Sequence, residues 1–187
     1  MNKKITLTGA NIVFFIFSAI FIVYQTVFTV IFGEKFLMDN IYLVVLINEF
    51  VVILVPVLLY MLIKKANFKE TFRFRKLDPI HGLLVALLSV AAYPVAMMLN
   101  NIVVYFLQFV GDIPAQPIPT PGDLPELFIG LLVVAVSPAI CEELFHRGLL
   151  LSAYERRGSM KAVVITAIFF GIFHFDMTNF LGPVFLG

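Results

Sequence analysis

Glu142 and Glu143 stand side by side in a stretch, residues 131–151, that is otherwise mostly apolar, and Arg147 follows close behind. An ionised carboxylate in hydrocarbon costs about 2.5–3.5 kcal/mol even on insertion scales, and two adjacent ones repel. Acids persist inside such a segment when they face a cavity, a partner or a reaction site. Glu143 and Arg147 are four residues apart and share a helix face, which suits an ion pair. Glu142 is left freer, in a drier setting, as a carboxylate able to take a proton from water. Hydrolysis of an amide at neutral pH needs such an activated water. A carboxylate, a histidine and, in some sites, a metal ion supply one. His174, in the next apolar segment, is the histidine in a position to join the acids.

The elements that must position these groups are membrane helices. The chain has 187 residues, 61% of them hydrophobic and 13% charged, with a mean hydropathy of +1.01. Soluble domains are about 45–50% apolar and about 25% charged. The fold class expected is therefore all-α, a polytopic helical bundle in a membrane. The formal net charge of +1 gives no electrostatic case for nucleic acid. The single cysteine, Cys141, excludes an internal disulfide framework and a cysteine-based zinc site. Five apolar runs are each near the roughly 20 residues needed to cross the hydrocarbon. They cover about 10–32, 41–63, 80–110, 126–153 and 161–180, read as one membrane domain over 1–187, with the motif-bearing part about 120–180. The first run is too long for a signal h-region and ends without a small-residue cleavage site. Pro56, Pro94 and Pro138 fall inside runs and predict kinks. A proline-rich loop, 111–122, separates the third run from the fourth. No internal repeat is found, which disfavours a transporter built from inverted halves.

Basic residues set the orientation. Lys3 and Lys4 precede the first run, Lys64, Lys65, Lys69, Arg73, Arg75 and Lys76 follow the second, and Arg156, Arg157 and Lys161 follow the fourth. The opposite loops hold Lys35 among the acids Glu34, Asp39, Asp112 and Asp123. The positive-inside rule then places the N-terminus in the cytoplasm. Segment 64–78, with Phe68, Phe72 and Phe74 among its cations, reads either as an amphipathic piece along the inner leaflet or as a solvated basic loop. At 1.5 Å per residue, Glu142 lies roughly 21 Å along its run from Arg156, and His174 roughly 20 Å along the next from Lys161. Glutamates and histidine are thus expected at similar depth on antiparallel neighbours. Asn48 and Glu49, roughly 22 Å from Lys64, fall near the same depth, either lining that cavity or bonding between helices.

The run Glu142-Glu143-Leu144-Phe145-His146-Arg147 resembles the Glu-Glu-x-x-x-Arg motif of the CPBP (CAAX protease and bacteriocin-processing, Abi) family of intramembrane proteases, which includes the type II CAAX prenyl endopeptidases. Phe170-Gly171-Ile172-Phe173-His174 resembles that family's second motif, Phe-x-x-x-His. Both motifs occur in the family's order on consecutive membrane segments. The resemblance implies a helical bundle with a polar cavity open toward the cytoplasmic side, acting on a peptide or lipidated-peptide substrate. It makes Glu142 the residue that activates water and His174 a contact to that water, to the oxyanion or to a metal. Glu143 and Arg147 take the supporting positions. Members are described both as metalloproteases, with Glu142 and His174 then candidate ligands of a Zn2+ ion, and as metal-free glutamate-dependent proteases.

The family's third motif, His-x-x-x-Asn or His-x-x-x-Asp, is not found after His174, and the spacing from His174 to Asn179 is five. The expectation is a piece of a longer protein or a degenerate member, with little peptidase activity as written. Other residues have plainer readings. His146 is placed for a local pair with Glu142 but matches no motif position. Cys141 reads as packing rather than nucleophile, and His81 as an interface residue. The alternative to an endopeptidase is a non-catalytic immunity or scaffold protein that binds a peptide partner in the same cavity. A bacterial plasma membrane is the expected location. A topology reporter inserted between Lys64 and Lys76 is expected to read cytoplasmic, and one inserted within 111–122 to read the opposite side.

Overall fold

A computed structural model describes residues 5–74, 76–113 and 120–187. Lys3, Lys4, Arg75 and positions 114–119 of the proline-rich loop lie outside the described residues. Every regular element among the described residues is helical: α1 (Leu7–Asp39), α2 (Ile41–Lys64), α3 (Phe68–Thr71), α4 (Pro79–Leu107), α5 (Leu124–Arg157), α6 (Ser159–Phe173) and α7 (Leu181–Leu186). Helices α1, α2, α4 and α5 are long and apolar enough to cross a membrane, and α6 is a shorter apolar helix. The protein is thus a polytopic membrane helical bundle. The chain divides into two compact units, one of Met1–Arg73 with Ile118–Ala153 and the other of Phe74–Pro117 with Tyr154–Gly187.

The first unit packs α1, α2 and most of α5. Thr6 caps α1, its Oγ1 accepting from the Gly9 amide at 3.1 Å. The helix breaks its geometry once, at Gly33 (φ 80°), where a side chain would be strained. Its buried residues Ala10, Val13, Phe14, Phe17 and Ser18 follow three- and four-residue steps. Phe14 and Phe17 meet the fully buried Phe145 of α5, with ring centroids 6.3 and 5.2 Å apart.

Helix α5 buries Val133, Ser137, Cys141, Phe145, Leu149 and Ala153 at four-residue steps, a stripe joined in its last part by His146, Gly148, Leu150 and Tyr154. In a pure α-helix of 3.6 residues per turn such a stripe drifts around the axis. Here α5 contains π-helical stretches at Leu131–Val136 and Leu144–Leu150, whose wider turns offset that drift. Helix α2 repeats the device. Its buried Glu49, Ile53, Val57 and Met61 are again four apart, beside a π stretch at Ile47–Leu54. Pro56 and Pro138 each follow a π stretch by two residues. A helical proline lacks the amide donor and presses on the carbonyl four residues back, and a locally widened turn relieves both. These two prolines thus accompany a widening of the helix. Pro94, inside α4, has no such stretch before it.

The second unit packs α7 against α4 and α6. Of α4, only Ala96 is buried, and residues such as Leu83, Leu87 and Val90 stay open. A helix this apolar all round suits contact with lipid. The fifth apolar run was expected to continue as far as 180, but α6 stops at Phe173 with His174 as its C-cap. Phe175 takes the left-handed conformation (φ 50°), and Asp176 Oδ1 accepts from the Thr178 amide at 2.8 Å and hydroxyl at 2.7 Å. This local turn chemistry overrides apolar continuity. Gly171 allows α6 and α7 to close, since a Cβ there would fall on Val184 and 2.9 Å from the Phe180 carbonyl oxygen. Gly171→Ala is therefore expected to cost about 1–3 kcal/mol, read as a lower unfolding midpoint in micelles.

Candidate active site

Glu142 and Glu143 close an α-helical stretch, Ser137–Glu143, set between the two π stretches of α5. Cys141 belongs to the buried stripe, so Glu142 falls at its edge, half-buried, and Glu143 turns outward, exposed. Neighbouring acids of one sequence thus occupy different surroundings. The ion pair expected from the spacing is present, with Arg147 Nη1 3.4 Å from Glu143 Oε1. Glu142 interacts electrostatically with both Arg147 and Glu143. His146 is fully buried, and its Nδ1 lies 3.1 Å from the backbone carbonyl of Glu142. A carbonyl only accepts, so Nδ1 donates and the ring is held along its own helix. Gly148, one turn below the acids, faces the Phe72 ring, 2.5 Å from where a Cβ would stand.

Helix α2 brings a further acid to this unit. Glu49 is only 7% exposed, heads the stripe of Ile53, Val57 and Met61, and interacts electrostatically with Glu142. Its π stretch packs on Ser137–Glu143 of α5. Glu49 Oε2 and Asn48 Oδ1 are buried without a hydrogen-bond partner among the described residues, as is Ser18 Oγ on α1. The sequence flagged Asn48 and Glu49 by depth. It gave no sign of Ser18, which shows only as a hydroxyl one turn past Phe14 in an apolar helix.

His174 lies in the second unit, half-buried. The four-residue spacing of its motif has a direct structural meaning. The Phe170 carbonyl accepts from His174 Nδ1 at 2.8 Å, and the two rings meet edge to face with centroids 5.0 Å apart. With Nδ1 so engaged, the neutral ring presents Nε2 as an acceptor, and the protonated ring presents it as a donor. The segment after His174 is held from α4, a role the sequence did not reveal. Asn100 Nδ2 donates to Asn179 Oδ1 at 2.7 Å, and Asn100 Oδ1 accepts from the Gly182 amide at 2.6 Å. Asn179, set aside as a motif residue by its spacing, is thus a structural anchor.

A zinc site of catalytic type needs three protein ligands and an open position. Among the described residues no three His, Cys, Asp or Glu side chains form a group able to hold a metal ion.

Residues 124–187 match the family model described as type II CAAX prenyl endopeptidase Rce1-like. The match takes in α5 from its first residue, α6 and α7, and hence Glu142, Glu143, Arg147 and His174. No curated protein and no solved structure matches the chain. Because Asn100 makes two hydrogen bonds to the segment after His174, Asn100→Leu is expected to lose about 1–3 kcal/mol of stability, measurable by chemical denaturation in micelles.

Proposed function

The family match over residues 124–187 supports the CPBP/CAAX protease family for this chain, and from that premise we propose that it is an intramembrane endopeptidase. Its substrate is a peptide or lipidated peptide cut near the cytoplasmic leaflet. Glu142 is the general base. It takes a proton from water as the oxygen attacks the scissile carbonyl carbon, and returns it to the amide nitrogen as the C–N bond breaks. The products are a carboxylic acid and an amine. The observation that carries this reading is the contrast between the two adjacent acids. Glu143 is exposed and ion-paired to Arg147, whereas Glu142 is half-buried at the edge of the α5 core stripe. Arg147 and Glu143 fix the helix face and leave Glu142 available.

His174 is assigned to the developing oxyanion or to the attacking water. Its fixed Nδ1 supports this, since only Nε2 is left to reach a reacting group. The reaction is written for the chain's own residues; a Zn2+ ion, if held by Glu142 and His174, would polarise the same water. A protein that only binds a peptide in the same cavity would not need the general base.

Mutation separates the two. Glu142→Ala and His174→Ala are each expected to lower cleavage of a quenched-fluorescence CAAX-type peptide by about a hundredfold or more, at unchanged expression and unfolding midpoint. Retention of full cleavage by either variant would overturn its assignment, and retention of in-cell function by one of them would favour the binder.

A further inference from the structure

No hydrogen bond among the described residues accounts for Glu49 Oε2. Glu49 is 93% buried by its 7% exposure and sits in the middle of a membrane helix. A buried acceptor left unsatisfied costs about 1–3 kcal/mol, more for a charged group, so an interhelical hydrogen bond is not what keeps it there. Contact with lipid does not explain it either, since the side chain is enclosed. What lies within its electrostatic reach is Glu142, across the packing of the α2 π stretch on Ser137–Glu143, with Cys141 in range of both acids. Ionised carboxylates offer acceptors only, so two of them brought near one another in an enclosed site gain from a donor that both can accept from.

We infer that Glu49 and Glu142 hold one water molecule between α2 and α5, with Glu49 accepting the hydrogen that Glu142 does not. The inference rests on the reading of Glu142 as the water-activating group and supplies what that reading lacks. A water with one hydrogen on the base still carries a second O–H, which in a dry site must also find an acceptor. Glu49 Oε2 is that acceptor. With both hydrogens taken, a lone pair of the water oxygen points away from the carboxylates, toward where a scissile carbonyl would be attacked. Buried waters have about 2–4 polar partners, and the two carboxylates supply two of them. Glu49 is then a water-positioning residue. It gains and loses no proton in the step, and the proton balance remains with Glu142.

The test reads the water rather than peptide cleavage. X-ray pulses convert ordered waters into hydroxyl radicals that oxidise the nearest side chains, and sulfur is the most reactive target. Cys141 and Met61 are both 0% exposed in the same unit, but Cys141 adjoins Glu142 in sequence and interacts electrostatically with both acids, whereas Met61 stands roughly 18 Å along α2 from Glu49. With the full chain in lipid nanodiscs, Cys141 is expected to be oxidised rapidly while Met61 is spared. Glu49→Leu should cut the Cys141 rate several-fold, and Glu49→Gln, which keeps an acceptor oxygen, should largely retain it. If Glu49→Leu does not fold, the Cys141 to Met61 ratio in the unmodified protein decides. Protection of Cys141 equal to that of Met61, or a Cys141 rate unchanged in Glu49→Leu, overturns the inference. A rate that collapses on adding EDTA shows a hydrated cation in place of a lone water and also overturns it. Rapid, Glu49-dependent oxidation together with full cleavage by Glu142→Ala would sink the assignment of Glu142 as general base and leave the water site standing.

Discussion

Carboxylates enclosed by hydrocarbon are the constraint around which the first unit is arranged. Each needs a compensating partner, and the chain provides for its acids differently. Glu143 takes Arg147 one turn along its own helix, at the outward edge. Glu142 keeps to the inner edge, where Arg147 and Glu143 act on it electrostatically. Glu49 is enclosed without a hydrogen-bond partner among the described residues and feels Glu142 from the neighbouring helix. The apolar core supports this division. Phe145 stacks against α1, and Ile53, Val57 and Met61 extend below Glu49, so Glu49 cannot swing out to solvent without disturbing packed side chains.

The register that permits this comes from an irregularity. A core stripe of every fourth residue is not natural to an α-helix, yet α2 and α5 both show one, and both contain π stretches. The prolines at 56 and 138 sit just beyond such stretches, where the ring and the missing amide are easiest to accommodate. A widened turn moves every following side chain around the axis. The π stretches therefore decide which acids face inward, and π-bulges are frequent at functional sites for this reason.

The second unit depends on an ending rather than on a stripe. His174 caps α6, and Phe175 in the left-handed region followed by the Asp176 turn stops the helix there. A histidine at a helix end has its ring fixed by its own last turn, through the Phe170 carbonyl, while Nε2 stays beyond the helix. Asn100 then anchors the following segment through Asn179 and Gly182. Few of these contacts are apolar, and in a membrane protein polar contacts between helices carry a good part of the specificity.

The membrane class, the helical fold and the Glu143 to Arg147 pair were legible because each follows from composition or from spacing within one helix. Hydropathy and 3.6-residue periodicity are local quantities, and the sequence determines them alone. The end of α6 was not legible, because apolar character continues past His174 while the helical backbone does not. The burial of Glu49, the isolation of Ser18 and the anchoring by Asn100 were decided by tertiary packing. They depend on which face of one helix meets another, and the π stretches shift that face by amounts that no regular period in the residues announces.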